Sequence, residues 1–186
     1  PSYSNEFTMS EILSLSGLVK HKWFPHCSSN NLKPQYSLKQ LKIQLNKRNN
    51  KAIYVGNYYT SKAKRLIKIK KELKNNLHIY GRSPLAGFIF PIMSTLMGYP
   101  NFKRIKELST SKRELYYSNY SIGLNMHLSF PSRETGNARL YELAYRGLAQ
   151  VVDTSEFSAI SKIFEPETEI LTYSTPNECV DQIKRL

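Results

Sequence analysis

Cysteine is nearly absent from this sequence. Cys27 and Cys179 are the only two, and neither sits in a CxxC pair or a Cys/His metal spacing. That excludes a disulfide framework and a cysteine-built zinc site, and it makes a reduced, cytosolic compartment the default. A secretory signal pattern is also missing, so none is expected to act here. Long apolar runs are absent as well. The longest, Leu85 to Met97, is broken by Gly87, Pro91, Ser94 and Thr95. A spanning helix needs about 20 apolar residues, so this run is expected to pack internally, with a position on a membrane surface as the second option. Acidic residues are scarce: 14 Asp and Glu stand against 27 Lys and Arg, for a net charge of +13. Such a surface favours polyanions or anionic membrane. The lysines do not gather around aromatics in a nucleic-acid-binding motif, so they read first as solvated faces of a Lys- and Asn-rich chain. There is no internal repeat and no low-complexity linker.

What remains is a foldable chain. Its 186 residues, 40% hydrophobic, suit one domain with an appendage and a real core. Pro1 to Gln44 is poorly periodic. A short helix is expected within Met9 to Val19. The polar loop between Pro25 and Pro34 suits a connection between domains, with Trp23, Phe24 and His26 as a hydrophobic plug at the junction. The lysine-rich approach from Lys39 to Asn50 closes this part, which reads as the remnant of a preceding domain.

From residue 51 the character changes. AIYV reads as a buried strand ending in Gly56, followed by a helix from Ser61 to Lys74 and a second strand, LHIY, ending in Gly81. Strand, glycine turn, helix and strand predict a right-handed parallel crossover, the opening of a doubly wound α/β domain. In the helix, Leu66, Ile69 and Leu73 share a face beside Ile67. Lys62, Lys64, Arg65, Lys68 and Lys71 are expected on the solvated remainder. Leu85 to Lys106 gives no clear element. A helix over Thr110 to Asn119, with Leu115 and Tyr116 inward, leads into YSIGLNMHL, a strand whose alternation breaks at Gly123. Asn125 and His127 should then stand at the mouth of the ligand crevice. An amphipathic helix follows, with Leu140, Leu143, Ala144 and Gly147 on its apolar face. AQVVD is the next strand, ending at Asp153. After a short helix around Glu156 to Phe164 come the strand EILTY and a final helix. Thr175 and Glu178 form a capping-box pattern there, with Pro176 at the first helical position. Cys179, Ile183 and Leu186 share its inner face.

The stretch from Arg133 to Asp153 carries the chemistry. A helix N-terminus offers unpaired N–H donors and roughly half a positive charge. Gly136 lets backbone approach an anion, Asn137 can cap or donate, and Arg133 and Arg139 suit phosphate oxygens. Glu142, with seven residues between it and Glu134, can accept the two hydroxyls of a ribose. Glu134 can face a sugar or complement the helix dipole.

These segments, in this order, resemble the C-terminal, donor-binding domain of GT-B glycosyltransferases, within the group 1 and CgeB/YkvP-like families. The resemblance rests on WFPH with the following KP, IYVGNYY, LHIYGR, SNYSIGLNMHL, ETGNARLYELAYRGLAQVVD and IFEPETEILTYSTPNECVDQI, and spans roughly residues 20–186. It implies a Rossmann-like parallel sheet forming one half of a GT-B fold. It also implies a nucleotide-activated sugar donor and a glycan, lipid-linked or protein acceptor hydroxyl. By the same resemblance Glu142 matches the second glutamate of an E-x7-E pattern, which holds the ribose. Glu134 matches the first, near the donor sugar, as the catalytic candidate. Gly136, Asn137 and Arg139 fall at the diphosphate, and Gly56 and Asn57 in the first glycine loop. Glycine stands two residues after Glu134 rather than three, and Glu165-Pro166-Glu167 lacks the glycine of the family's turn. No Asp-x-Asp triplet is present, so neither metal nor cofactor is expected. The acceptor domain is not in these residues, so an N-terminal GT-B domain is the implied partner and the isolated chain is expected to be inactive. The basic charge fits a cytoplasmic protein with peripheral contact to anionic membrane; nucleic acid is the less favoured partner. Two alternatives stand beside this reading: a basic nucleic-acid-binding or assembly module, and a nucleotide-binding domain without catalysis.

Overall fold

A computed structural model describes residues 43, 46–57, 60–81, 86–99, 107–127, 138–154 and 164–186. The elements in chain order are β1 (Asn49–Val55), α1 (Thr60–Leu73), β2 (Leu77–Tyr80), α2 (Ala86–Leu96), α3 (Thr110–Asn119), β3 (Tyr120–Asn125), α4 (Ala138–Tyr145), β4 (Ala149–Asp153), β5 (Leu171–Tyr173) and α5 (Pro176–Arg185). The five strands form one sheet in the order β2-β1-β3-β4-β5, and every pairing is parallel. The chain winds outward from β1 to β2 and then restarts on the other side at β3. Such a reversal opens a crevice at the carboxyl ends of the two central strands.

Both faces of the sheet are covered, which is why the strands read as near-continuous apolar runs. On one face Ala52, Tyr54, Ile122, Leu124 and Val151 pack with Leu66, Ile69 and Leu73 of α1, Phe90 of α2, and Cys179, Val180 and Ile183 of α5. On the other, Ile53 and Val55 pack with Tyr117 of α3 and Leu143 of α4. Alternation along β1 thus feeds both layers.

α2 lies where the sequence offered no element. Pro91 sits inside it. The Ser94 and Thr95 hydroxyls donate to the Pro91 carbonyl at 2.8 and 2.9 Å. Three expected burial assignments are corrected. Leu115 is exposed, and Tyr117 takes the inward position beside half-buried Tyr116. Tyr117 continues the aromatic packing of Tyr120, whereas Leu115 falls on the outer side of this ten-residue helix. Ala144 is exposed and Leu140 and Leu143 alone carry the buried face of α4. Leu186 is exposed, because α5 has ended and only Cys179, Val180 and Ile183 reach the core. The capping box at Thr175 and Glu178 forms as read. Glu167, which stands where the resembled turn has glycine, has φ of +65°. Its carboxylate accepts the Thr172 N–H at 3.4 Å, covering part of the β5 edge.

α4 is held at both ends. Its C-terminus closes in a Schellman arrangement: Gly147, at φ +65°, donates to Ala144 O at 2.9 Å and Leu148 donates to Leu143 O at 3.1 Å. Arg48, just before β1, then donates from Nη1 to Gly147 O at 2.9 Å and from Nη2 to Arg146 O at 2.7 Å. At β3, a Cβ on Gly123 would stand 2.7 Å from Leu143 Cδ2, so the missing side chain is what lets α4 lie this close to the sheet.

Candidate functional site at the carboxyl edge of the sheet

The crevice between β1 and β3 is built first from two backbones. Gly56 ends β1 and donates its N–H to Tyr80 O at 3.1 Å. A Cβ on Gly81, at the end of β2, would fall 1.9 Å from Gly56 O. The two glycines therefore pack backbone against backbone where the turn after β1 begins. Tyr54 fixes that turn from below, its hydroxyl donating to Asn57 O at 3.0 Å. Gly56 and the exposed Asn57 stand at the carboxyl edge, where the sequence reading placed them.

α1 begins after this turn and brings two cations to the same edge. Lys62 was expected on a solvated face but is buried. Its Nζ donates to Met126 O at 2.7 Å, tying α1 to the end of β3. The lysine pattern along α1 hid this, because the first turn of the helix tucks under the edge while later lysines face solvent. Arg65, one turn on, donates from Nη1 to Asp153 Oδ2 at 3.0 Å and lies over the Tyr173 ring.

Asp153 gathers a second partner. Its Oδ1 accepts both the His127 backbone N–H at 2.7 Å and His127 Nδ1 at 2.6 Å. Burial alone would raise this carboxyl. Hydrogen bonds and attraction from His127, with the Arg65 charge, outweigh burial and hold it below the ordinary carboxylate range. Asn125 and His127 were expected at the crevice mouth. Both come to the carboxyl edge but are buried, so His127 is a structural tie between β3 and β4. Tyr173 adds a further tie, its hydroxyl donating to Asn125 O at 3.3 Å. The sequence singled out His127 and Asp153 separately. Their pairing across 26 positions follows from adjacent strand ends and has no local signal.

The other candidate residues lie on α4. Arg139 donates from Nη1 to Tyr117 Oη at 2.6 Å and to Glu142 Oε2. Arg113 of α3 lies on the opposite oxygen, Nη1 to Oε1 at 3.6 Å. Burial first, and the Glu142 charge with it, push the Tyr117 phenol up to about 12 against the pull of Arg139 and Arg113. Glu142 keeps a third of its side chain exposed. A carboxylate has about four acceptor positions, so it retains capacity for a ligand hydroxyl. Arg113 was missed by the sequence reading because it lies on a different helix, 29 positions before Glu142 (142 − 113). Arg133, Glu134, Gly136 and Asn137 lie outside the described residues. Among the described residues no group of three or more His, Cys, Asp or Glu could hold a metal ion.

The profile of the family described as "Glycosyl transferase-like" matches residues 61–186. Among solved structures, the fold is similar to AviGT4, a glycosyltransferase involved in avilamycin A biosynthesis. That likeness has 17% identity and a TM-score of 0.54, over 75% of this chain and 43% of that one. It is also similar to the C-terminal domain of LpcC, a group 1 family glycosyl transferase from Francisella tularensis. There the identity is 10% and the TM-score 0.50, over 83% of this chain and 84% of that domain. At these identities the likeness is one of fold. This chain spans less than half the length of AviGT4. No curated protein matches it.

Proposed function

This chain belongs to the glycosyl transferase-like family, and we propose that it binds a nucleotide-activated sugar at the carboxyl edge between β1 and β3. Its architecture is that of the C-terminal, donor-binding half of a GT-B glycosyltransferase. The observation that carries the reading is the topological switch point itself: the Gly56 backbone stands at the carboxyl edge of the sheet, to which α1 also brings the cations Lys62 and Arg65. A diphosphate needs backbone that can approach closely and positive charge that does not have to be desolvated anew.

In this reading Gly56 and Asn57 face the donor, and Arg133, Gly136, Asn137 and Arg139 hold the diphosphate at the start of α4. Glu142 accepts the ribose hydroxyls, and Glu134 lies at the donor sugar as the catalytic candidate. During transfer the acceptor hydroxyl oxygen bonds to the anomeric carbon, and the bond from that carbon to the diphosphate oxygen breaks. The diphosphate leaves with the electron pair, stabilised by N–H groups and cations. The hydroxyl proton passes to a base. The sequence lacks an Asp-x-Asp triplet, and charge neutralisation by arginine, lysine and helix dipole makes a metal unnecessary to the scheme. Transfer requires an acceptor domain beyond these residues, so the chain alone binds donor without transferring it.

The test is calorimetric titration of the chain with UDP, GDP, CDP and their sugar conjugates, in wild type, Glu142→Gln and Glu142→Ala. Micromolar to millimolar binding of one nucleotide, weakened in both variants, is the expected result. Absence of binding to every nucleotide in a folded chain overturns the reading.

A further inference from the structure

α2 and α1 together present a surface that the crevice does not use. Over Ala86–Leu96 the sequence holds no charged residue. The helix is anchored by Phe90, which is buried, and by Met93 and Met97, which pack against the core. Ile92 and Leu96, one turn apart, point outward and are 61% and 83% exposed. On α1, Lys64, Lys68 and Lys71 are exposed at a spacing that puts them in one row. Lys71 Nζ lies 3.5 Å from the Cβ position of Gly98, just past the end of α2, so this end of the lysine row adjoins the helix that carries the apolar pair.

We propose that this face docks on an anionic phospholipid surface, with Ile92 and Leu96 entering the headgroup–acyl boundary and the lysine row on lipid phosphates. Apolar side chains bordered by lysines are the chemistry of interfacial attachment. Charge selects the occupant. Three lysines against the single acid Glu72 leave this face net positive, which opposes a second copy of the same chain. Single-stranded nucleic acid is held through aromatic faces for stacking, whereas the large apolar side chains exposed among the described residues of α2, Ile92 and Leu96, are aliphatic. α1 and α2 cover one face of the sheet, so docking there leaves the carboxyl edge open. The inference does not rest on nucleotide-sugar binding.

The test is co-sedimentation of the 186-residue chain with vesicles of phosphatidylcholine alone and of phosphatidylcholine mixed with phosphatidylglycerol. Binding is expected only to the mixed vesicles. Lys68→Gln with Lys71→Gln should weaken it about 25-fold, at roughly fivefold per lysine. Ile92→Ser with Leu96→Ser should weaken it about tenfold. Lys47→Gln with Lys112→Gln removes the same charge elsewhere and should have little effect. These side chains are exposed, so circular dichroism should be unchanged in all variants. No binding to mixed vesicles, equal losses from the two lysine pairs, or full binding by the serine variant would each overturn the proposal. So would tighter binding to single-stranded RNA that depends on the same lysines.

Discussion

Gly81→Ala is the sharpest perturbation of the crevice that leaves every charged group in place. The added Cβ meets the Gly56 carbonyl oxygen at 1.9 Å and its carbon at 2.9 Å, while side-chain Cβ atoms keep at least 3.0 Å. The obstacle is backbone, so no rotamer change relieves it. The two turns have to part, and the Gly56 N–H bond to Tyr80 O at 3.1 Å is strained or lost with them. Gly81 also has φ of +157°, a region that side chains adopt rarely. Overpacking costs about 1–3 kcal/mol and the backbone conformation about 1–3 more. Relief by local movement should leave a net loss of about 2–4 kcal/mol. For a chain of this size that lowers Tm by about 4–16 °C, and donor affinity should fall as the Gly56 turn moves. Gly98→Ala is the control: its φ is +77°, but its Cβ would meet only the Lys71 ammonium at 3.5 Å, so it should cost about 1 kcal/mol and leave donor binding intact. Thermal melts and nucleotide titrations of both variants decide the matter. If Gly81→Ala melts and binds like wild type, the backbone contact between the two turns does not shape the site.

Other predictions follow from the ties around the site. Gly123→Ala should destabilise by about 1–3 kcal/mol through its clash with Leu143, and Leu143→Val should recover part of that loss; urea unfolding of the single and double variants measures the coupling. Asp153→Ala, which leaves His127 and Arg65 without their shared carboxylate, should cost about 3–5 kcal/mol. Asp153 is held below its ordinary range, so its stabilisation is complete above the unfolded value of about 4 and is lost as pH falls through the lower folded value. The acid limb of the stability profile should therefore be shallower in Asp153→Asn. Burial pushes the Cys179 thiol well up, so it should resist a thiol reagent near neutral pH until the chain is unfolded.

Much of the sheet was legible because parallel strands buried on both faces write themselves as short apolar runs. AIYV, LHIY and AQVVD each became a strand, and glycine at 56 and 81 marked real turns, whereas Gly147, expected on the apolar face of α4, closes that helix instead. α1 was legible from its 3.6 periodicity. α2 was not, since Pro91 reads locally as a break, yet the helix continues through it. The phase of α3 was misread by two residues, because a short helix with few apolar positions offers little to average over. At the site, the position of Gly56 at the end of β1 could be read from the strand-turn-helix order, whereas Asn57 entered only through the family resemblance. Lys62 could not, because nothing in a lysine-rich helix distinguishes the one lysine that the sheet edge covers. Likewise the pairing of His127 with Asp153, and of Arg113 with Glu142, depends on which strands and helices become neighbours in space.

The grip of Arg48 on the end of α4 has a practical consequence for dissecting this protein. A boundary drawn by sequence character at residue 51 would discard Arg48 and the first two residues of β1. A fragment cut there would keep every residue proposed to meet the donor yet lose the cap on the helix that carries Arg139 and Glu142. Its weak binding could then be mistaken for an absent activity. A fragment that keeps this contact begins ahead of Arg48, and a swap of the upstream segment between related chains exchanges the contact with it.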